Sequence, residues 1–519
     1  MFALCLPERL TDSVPTNSFD ILVLGHELSG LLAATLCATR GYRVGLIRGD
    51  HAPCEYRHGE FLLPVEPFSM VGFDSPAISQ TWDELHLTHE IRRRINSSQI
   101  PFQLVTQNAR VDVNSDDVAL TRELRRELRA VNYPSNERPQ KLAERARKAS
   151  EIGQILDAAF TSETTIPATS FRAKRDLAKL FATMNAEATD LFVDEPPWLL
   201  QLLWSAPAAI SSIAGQAKPT PLSALRTFEL WRRGLPRIEG DASGLHKLLL
   251  EKFTASGGEL LDAIRVSELS YSWGKVSGIK TKNGDELGAT KIIAAMPIDE
   301  LFVLAGRKGQ KKIESTVEEL EASGYRYTLN LVVDESGIPE GMAHTVLCIV
   351  DPEQPLIGAN VFAIFIGEPD DRARVVVSVS AICPPPSESS HLEAAFANLR
   401  VSLRESLEMV MPFINQHILL IHSPHESLPA EGKAATKNGA LGKAMASRPL
   451  WRRIAGEPDL FGSAGISYQV GLKNLILASE QVLLNLGLEG QFAVARGATT
   501  LACQGIGKRK STRGEVLGR

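Results

Sequence analysis

The stretch FDILVLGHELSGLLAATLCATRGYRVGLIRGD, residues 19–50, decides the predicted fold. It begins with a short apolar run, Ile21–Leu24, which ends at Gly25 and is typical of a buried parallel strand. Leucines then recur at helical spacing until Gly41, which predicts a helix and its end. Arg43–Ile47 predicts a second strand. A strand, a tight turn, a helix and a strand within about 30 residues form a βαβ unit of the size used by dinucleotide-binding folds.

The turn between this strand and helix departs from the glycine fingerprint G-x-G-x-x-G. Gly25 and Gly30 stand at the first and third glycine positions, where they allow the turn and the close approach of the helix. Glu27 replaces the second glycine, and a carboxylate there repels a diphosphate unless it points away or contacts a ribose hydroxyl. Arg48 stands where an acidic residue would bind the ribose. The pattern therefore predicts a βαβ unit and leaves open whether it binds a dinucleotide.

Two later segments carry further structural signals. Residues 236–297 predict a helix with leucines on one face, ended by a Gly-Gly pair, and then short strands joined by an Asn-Gly turn. Residues 474–503 predict a buried strand, a turn containing Gly487 and Gly490, and an apolar helix. A glycine-rich turn that enters a helix offers free backbone N–H groups and the positive end of the helix dipole.

The order of these segments resembles the phytoene desaturase-like branch of the FAD-dependent amine oxidase superfamily. That family begins with a dinucleotide fingerprint, carries a G-x-x-x-L-x-x-x-L helix, a G-G pair and a V-x-x-I strand in mid-chain, and closes with a turn like P-G-L-G-L-E-G before a helix. The middle pattern is matched loosely by Gly240, Leu245, Leu249, Gly257, Gly258 and Val266. The last pattern is matched by Gly487, Leu488, Glu489 and Gly490. The segments cover less than a third of the chain but follow the family's order from end to end.

The resemblance implies FAD as the cofactor. Gly25 and Gly30 would line its pyrophosphate, and Val266 would meet the adenine through its backbone. Glu480 would reach the ribityl or diphosphate region. The turn before the last helix would place a helix N-terminus at the flavin ring and stabilise its reduced, anionic form. The candidate cofactor-binding residues are therefore Gly25, Glu27, Gly30, Arg48, Val266, Glu480, Gly487, Leu488 and Gly490.

The resemblance also implies an α/β fold with two parts. A Rossmann-like FAD/NAD(P)-binding domain, a parallel sheet with helices, would be joined to a substrate domain of mixed sheet and helices. At about 150 residues per domain, a chain of 519 residues has room for both. We expect 19–110, 236–300 and 455–505 to form the discontinuous cofactor domain, 111–235 and 301–454 to form the substrate domain, and 1–18 and 506–519 to be flexible tails.

Composition and charge exclude other classes of protein. With 44% hydrophobic and 23% charged residues the chain is globular rather than disordered, and a net charge of −5 gives no reason to expect nucleic acid as a partner. The six cysteines form no C-x-x-C pair and the histidines no H-E-x-x-H motif, so no metal site is predicted and a reducing, cytoplasmic location fits. The segment 91–150 is locally basic, which is compatible with peripheral contact with anionic membrane lipid.

The leading functional hypothesis is an FAD-dependent oxidoreductase, a dehydrogenase, desaturase or redox isomerase, acting on an apolar, isoprenoid- or carotenoid-like small molecule. No catalytic residue is assigned, because hydride transfer to flavin N5 needs positioning more than acid–base groups. The alternative is a non-catalytic lipid- or prenyl-binding protein on the same fold, similar to escort and dissociation-inhibitor proteins, which Glu27 and Arg48 keep open. A third hypothesis, an NADP-dependent reductase, uses Arg48 for the 2′-phosphate but leaves the turn at Gly487 unexplained.

Overall fold

The computed structural model describes residues 18–506 with internal gaps, and every statement below concerns the described residues. The gaps are at 26, 50–52, 131–138, 162–164, 194–196, 212–219, 389–390, 428–430, 433–444, 446, 455–464 and 485. The two tails that the sequence predicts to be flexible therefore lie almost wholly outside the described residues.

The first sheet is built on the predicted βαβ unit. Strand β1 (Ser18–Gly25) lies between β2 (Val44–Ile47) and β12 (Glu286–Ala295) and is parallel to both. Strand β9 (Glu259–Leu260) continues the sheet beyond β2, and β19 (Leu475–Leu477) pairs in parallel with the second half of β12. Strands β2 and β19 are buried along their whole length, and β1 is buried in its second half. This burial is typical of parallel strands that are covered on both faces.

The rest of this sheet is antiparallel, and helices cover it. Strands β10 (Val266–Ser272) and β11 (Lys275–Thr281) form a meander that joins the first half of β12. Helix α1 (Leu28–Thr39) packs against both α9 (Asp241–Ala255) and α14 (Gly487–Cys503). Segments from the beginning, middle and end of the chain thus share one domain, which confirms the predicted Rossmann-like α/β fold class.

The second sheet is mixed and contains the longest strand, β13. Its order is β17-β13-β16-β15-β14-β6-β7, and β18 pairs with the first part of β13 beside β17. The strands are β6 (Phe102–Val105), β7 (Arg110–Val113), β13 (Leu320–Asp334), β14 (Thr345–Ile349), β15 (Val361–Ile366), β16 (Arg374–Cys383), β17 (Ile418–His422) and β18 (Pro449–Arg453). The predicted boundary at residue 110 is wrong in one respect: β6 and β7 belong to this sheet, because β6 pairs in parallel with β14.

A helical block lies beside the second sheet. It consists of α4 (Asp117–Ala130), α5 (Pro139–Thr161), α6 (Phe171–Val193), α7 (Trp198–Ser211) and α8 (Pro221–Arg233). Helix α7 packs against α8 and against β14, β15 and β16, and its leucines and Trp204 are buried. Helix α7 is therefore a core helix, and among the described residues no helix is long and apolar enough to cross a membrane.

The remaining elements are helices and two small strand pairs that surround the two sheets. The helices are α2 (Pro76–Glu84), α3 (Thr88–Arg94), α10 (Ile298–Leu304), α11 (Gly306–Val317), α12 (Leu392–Val410) and α13 (Ile414–His417). Strands β3 (Glu55–His58) and β4 (Phe61–Pro64) form a hairpin, and β5 (Ile95–Asn96) pairs antiparallel with the distant β8 (Arg237–Ile238). Because α12 covers one face of the second sheet, the face beside α7 is the one that looks toward the first domain.

Candidate functional site

A cavity of about 410 Å³ lies between the two sheets. Its walls include Glu27 at the start of α1, Gly487 at the start of α14, and Arg326 and Phe365 from the second sheet. A wider groove of about 860 Å³, lined by Arg48 among others, shares Pro53, Cys54 and His246 with this cavity. The two spaces therefore adjoin, and each falls in the volume range of small-molecule and cofactor sites.

The two fingerprint glycines make the turn but do not line the cavity. Gly25 has φ +111°, and a Cβ there would lie 2.0 Å from the carbonyl oxygen of Ala295. A Cβ on Gly30 would lie 2.0 Å from the Cβ of the same Ala295. Both glycines thus let α1 cross the end of β12 at close range, which is the packing role expected of the first and third positions.

Glu27 lines the cavity and is bound to the opposite end of the chain. The Ser479 hydroxyl donates to its Oε1 at 3.0 Å, and the backbone N–H of Glu480 donates to its Oε2 at 3.0 Å. Burial, reinforced by the charge of Glu480, raises the pKa of Glu27 to about 8. The side chain therefore does not point away from the turn, as one of the two alternatives above supposes. Its carboxyl group instead joins the turn after β19 to the N-terminus of α1.

Glu480 links the Glu27 turn to the second sheet through a chain of ion pairs. Its carboxylate accepts a hydrogen bond from Arg448 Nη1 at 3.0 Å, and Arg448 Nη2 donates to Glu66 Oε2 at 3.2 Å. Arg326 lies on the other side of Glu66, with its Nε 3.8 Å from the same oxygen and its Nη2 donating to the carbonyl of Ser211. Although burial alone would raise the pKa of Glu66, the two guanidinium groups hold it below its ordinary value.

These charged side chains line one wall of the cavity, and sequence reasoning missed three of them. Glu66, Arg326 and Arg448 come from a loop, from β13 and from the approach to β18, and no local motif marks them. The Nε of Arg326 is buried without a hydrogen-bond partner. An unsatisfied buried donor beside a cavity is the kind of group that a bound ligand or water satisfies.

The turn before α14 is also placed at the cavity. Gly487 has φ +50°, and a Cβ there would meet nothing within 4 Å, so glycine serves the backbone conformation and keeps the space open. Leu488 lines the cavity beside it. Gly490 packs inward, because a Cβ there would lie 2.9 Å from the Cβ of Leu486. Glu489, between them, is fully buried and forms an ion pair with Arg226 of α8.

Arg48 and Val266 lie away from the enclosed cavity. Arg48 follows β2 and donates from Nε and Nη2 to the two carboxylate oxygens of Asp262, at 2.9 and 2.7 Å. It lines the wider groove, at the end where a Rossmann fold binds the ribose. Val266 begins β10 opposite Thr281 and lines neither space, so its predicted contact with adenine finds no support in the geometry.

Comparison with solved structures agrees with this architecture. Putrescine oxidase bound to putrescine is similar over 93% of this chain and 98% of its own, with a TM-score of 0.56 and 13% identity. An oxidoreductase from Methanosarcina mazei matches 93% of this chain and 99% of its own, with a TM-score of 0.52 and 13% identity. A Pyrococcus furiosus protein matches with a TM-score of 0.51, 13% identity, and coverage of 92% of this chain and 95% of its own.

Identity this low establishes the fold alone. No family model matches the chain, and no curated protein is similar to it in sequence. The phytoene desaturase-like branch predicted from the motifs is therefore not confirmed, whereas the predicted fold is, since the chain shares it with putrescine oxidase and with the oxidoreductase from Methanosarcina mazei.

Proposed function

We propose that the chain is an FAD-dependent oxidoreductase whose cofactor extends from the groove at Arg48 into the cavity at Gly487. The observation that carries this proposal is the meeting of two helix N-termini, those of α1 and α14, at one cavity beyond the carboxyl ends of β1 and β19. In open α/β sheets, ligands bind in this crevice, and helix N-termini attract phosphate and electron-rich oxygens.

The residues that line the cavity and the groove are compatible with bound FAD, provided that the Glu27 carboxyl group does not repel its diphosphate. Gly25 and Gly30 supply the tight turn, and the open backbone at Gly487 and Leu488 is free to face the carbonyl side of a flavin ring. The condition concerns Glu27, whose carboxyl group already holds Ser479 and Glu480. Because its raised pKa makes Glu27 largely neutral at pH 7, it adds little repulsion toward a diphosphate.

When bound, FAD supplies a two-electron acceptor for a hydride from a substrate C–H bond. The chain supplies the pocket: Phe68, Trp231 and Phe365 line the cavity and exclude water from the reacting carbon. Helix α8 and the second sheet fix where a substrate lies relative to the turn at Gly487, which is the contribution that hydride transfer needs most. Because these three aromatic side chains make part of the wall apolar, we propose an apolar substrate, such as an isoprenoid.

A flavin-free binding protein is the second candidate function. The observation that favours it is the pair of hydrogen bonds that Glu27 makes, since they satisfy donors that a phosphate would otherwise use. An apolar ligand in the 410 Å³ cavity would need none of those donors. A peripheral position at a membrane and a cytoplasmic location are part of both proposals.

The test is the visible spectrum of the purified protein, with and without added FAD. A flavin band that persists through gel filtration supports the oxidoreductase, and colourless protein that FAD cannot reconstitute contradicts it. Leu488→Trp narrows the cavity and should abolish flavin retention, whereas Leu62→Trp adds the same bulk to an exposed position on β4 and should not. Apolar lipid extracted from the colourless protein would support the binding function.

A further inference from the structure

The carboxyl group of Glu27 lies where the fold places a phosphate. In a βαβ dinucleotide unit the pyrophosphate binds at the N-terminus of the first helix, and Glu27 immediately precedes that helix here. Its two oxygens take two separate donors, the Ser479 hydroxyl and the Glu480 N–H, each at 3.0 Å. Two oxygens on one centre that accept from a hydroxyl and a backbone amide reproduce what a phosphate group does at such a site.

The backbone does not require this side chain. Glu27 has φ −58° and ψ 147°, an extended conformation open to any residue, and its side chain makes no capping bond to α1. Its contacts are made instead with the turn that follows β19. The function of Glu27 therefore resides in its carboxyl group.

We propose that Glu27 is an internal competitor of the flavin diphosphate, holding the donors of Ser479 and Glu480 until phosphate oxygens replace its own. This inference rests on the proposed function, since it concerns how the chain admits that cofactor. Replacement frees the Glu27 side chain into the cavity, which it lines together with Glu480 and Arg448. Affinity for the cofactor then depends on a difference: the free energy of the hydrogen bonds that phosphate oxygens make to Ser479 and Glu480, minus that of the bonds that Glu27 gives up.

The exchange depends on the protonation of Glu27. The charged groups that face it are the carboxylate of Glu480 and, behind it, Arg448, which also binds Glu66. His246 lines the same cavity, and β12 presents only Ala295 to the turn. A diphosphate favours the neutral form of Glu27, so its affinity should be constant below the pKa of about 8 and fall as the pH rises through it.

The experiment measures flavin binding by calorimetry for the wild type, Glu27→Ala, Glu27→Gln and Glu393→Gln. Glu393 is an exposed carboxylate on α12, in the other domain, and serves as the matched control. We expect Glu27→Ala to bind FAD and ADP at least about tenfold more tightly than the wild type near pH 9, which corresponds to ~1.4 kcal/mol. Riboflavin, which lacks the diphosphate, should show no such gain.

The pH dependence provides a second readout. Wild type and Glu393→Gln should lose affinity for ADP between about pH 7 and about pH 9, and both Glu27 variants should not. Glu27→Gln keeps an acceptor for the Glu480 N–H, so it tests the charge even if the alanine variant folds poorly.

Three results separate the inference from the proposed function. Equal or weaker binding of FAD and ADP by a folded Glu27→Ala, with the wild type still binding, overturns the competitor role and leaves the oxidoreductase proposal in place. A gain that riboflavin shares overturns it as well, because the effect would then not concern the diphosphate. Failure of every folded variant to bind FAD or ADP overturns both.

Discussion

Arg226 and Glu489 form an ion pair without solvent exposure between α8 and the first turn of α14. Arg226 Nε donates to Glu489 Oε2 at 3.0 Å, and Nη1 donates to the carbonyl of Gly153 and lies 2.8 Å from Asp157. The pair joins the helical block to the helix that begins at the cavity. Glu489 belongs to the motif Gly-Leu-Glu-Gly, and its carboxylate anchors the start of α14 to α8 at the edge of the cavity.

Removing one partner of this pair should be more damaging than removing both. We expect Arg226→Met alone to lower the free energy of unfolding by about 3–5 kcal/mol, because it leaves the charge of Glu489 buried and unpaired. Glu489→Leu alone should cost less, because Arg226 keeps its contact with Asp157. The double variant should recover most of that loss. Urea unfolding measures each value, and Arg452→Met, which breaks a partly exposed pair with Glu321, should cost less than about 1 kcal/mol. Additive losses in the double variant would contradict this prediction.

Glu27 should make the protein less stable as the pH rises. Its folded pKa of about 8 exceeds the ordinary 4.5, so the folded state holds a proton that the unfolded state releases. Stability from this group is complete below about pH 4.5 and declines until about pH 8. Glu27→Gln, which cannot ionise, should gain roughly 5 kcal/mol in free energy of unfolding relative to the wild type over that interval, because each pH unit between the two pKa values is worth about 1.4 kcal/mol. Urea unfolding at several pH values measures this gain. A stability difference that does not change with pH would argue against a buried, neutral Glu27.

The contact between Gly30 and Ala295 predicts a compensating pair of substitutions. Gly30→Ala should lower the free energy of unfolding by about 1–3 kcal/mol, because the new Cβ would lie 2.0 Å from that of Ala295. Ala295→Gly removes the opposing methyl group and should restore much of the loss. Gly153→Ala, where the nearest atom is 3.3 Å away, is the control and should show no such rescue. Thermal unfolding measures the three single variants and the two double variants that combine Ala295→Gly with Gly30→Ala or with Gly153→Ala.

Arg48 should not recognise a 2′-phosphate while Asp262 holds it. We expect the wild type to bind adenosine 2′-phosphate and adenosine 5′-phosphate with similar affinity, since the Nε–Nη2 edge of the guanidinium, which would grip a phosphate bidentately, is already paired with Asp262. Asp262→Ala frees them and should tighten binding of the 2′-phosphate by about tenfold. Replacing Arg48 by alanine in the same variant should abolish that gain. A strong preference of the wild type for the 2′-phosphate would revive the NADP-dependent hypothesis.

Cys503 should be the most reactive of the cysteines at positions 37, 54, 348, 383 and 503. A hydrogen bond from the Cys37 thiol and the charge of Arg40 lower the pKa of Cys503 to about 7, whereas burial raises that of Cys383 to about 11. Iodoacetamide labelling followed by mass spectrometry should show its rate rising to half-maximum near pH 7. Cys37→Ala should move that midpoint upward, and an unchanged midpoint would remove Cys37 from this explanation.

The fold was predictable because its signals are local. A strand that ends in glycine, followed by a helix, fixes the βαβ unit, since Gly25 and Gly30 are needed for packing whether or not a ligand binds. The boundary at residue 110 failed for the opposite reason. The partner of β6 is β14, far along the chain, and nothing within residues 102–113 indicates it.

The candidate site was predictable only in part. Glu27, Gly487 and Leu488 were identified by motif position and do line the cavity. Arg326 and Arg448 were not, because a charged residue in a strand or loop is ordinarily solvated and its place at a cavity follows from tertiary packing. The partners of Glu27 could not be predicted either, because its hydrogen bonds with Ser479 and Glu480 join residues more than 450 positions apart in the chain.

The position of β19 has a consequence for biosynthesis. The cavity needs β1, made early, and the segment 475–503, made several hundred residues later, and Ser29 in α1 donates a hydrogen bond to the carbonyl of Ala478. At ordinary rates of translation the nascent chain spends tens of seconds with the edge of β12 and one flank of α1 exposed. The cavity is therefore incomplete until that segment has been made, and α1 is the helix whose uncovered flank a chaperone would shield during synthesis.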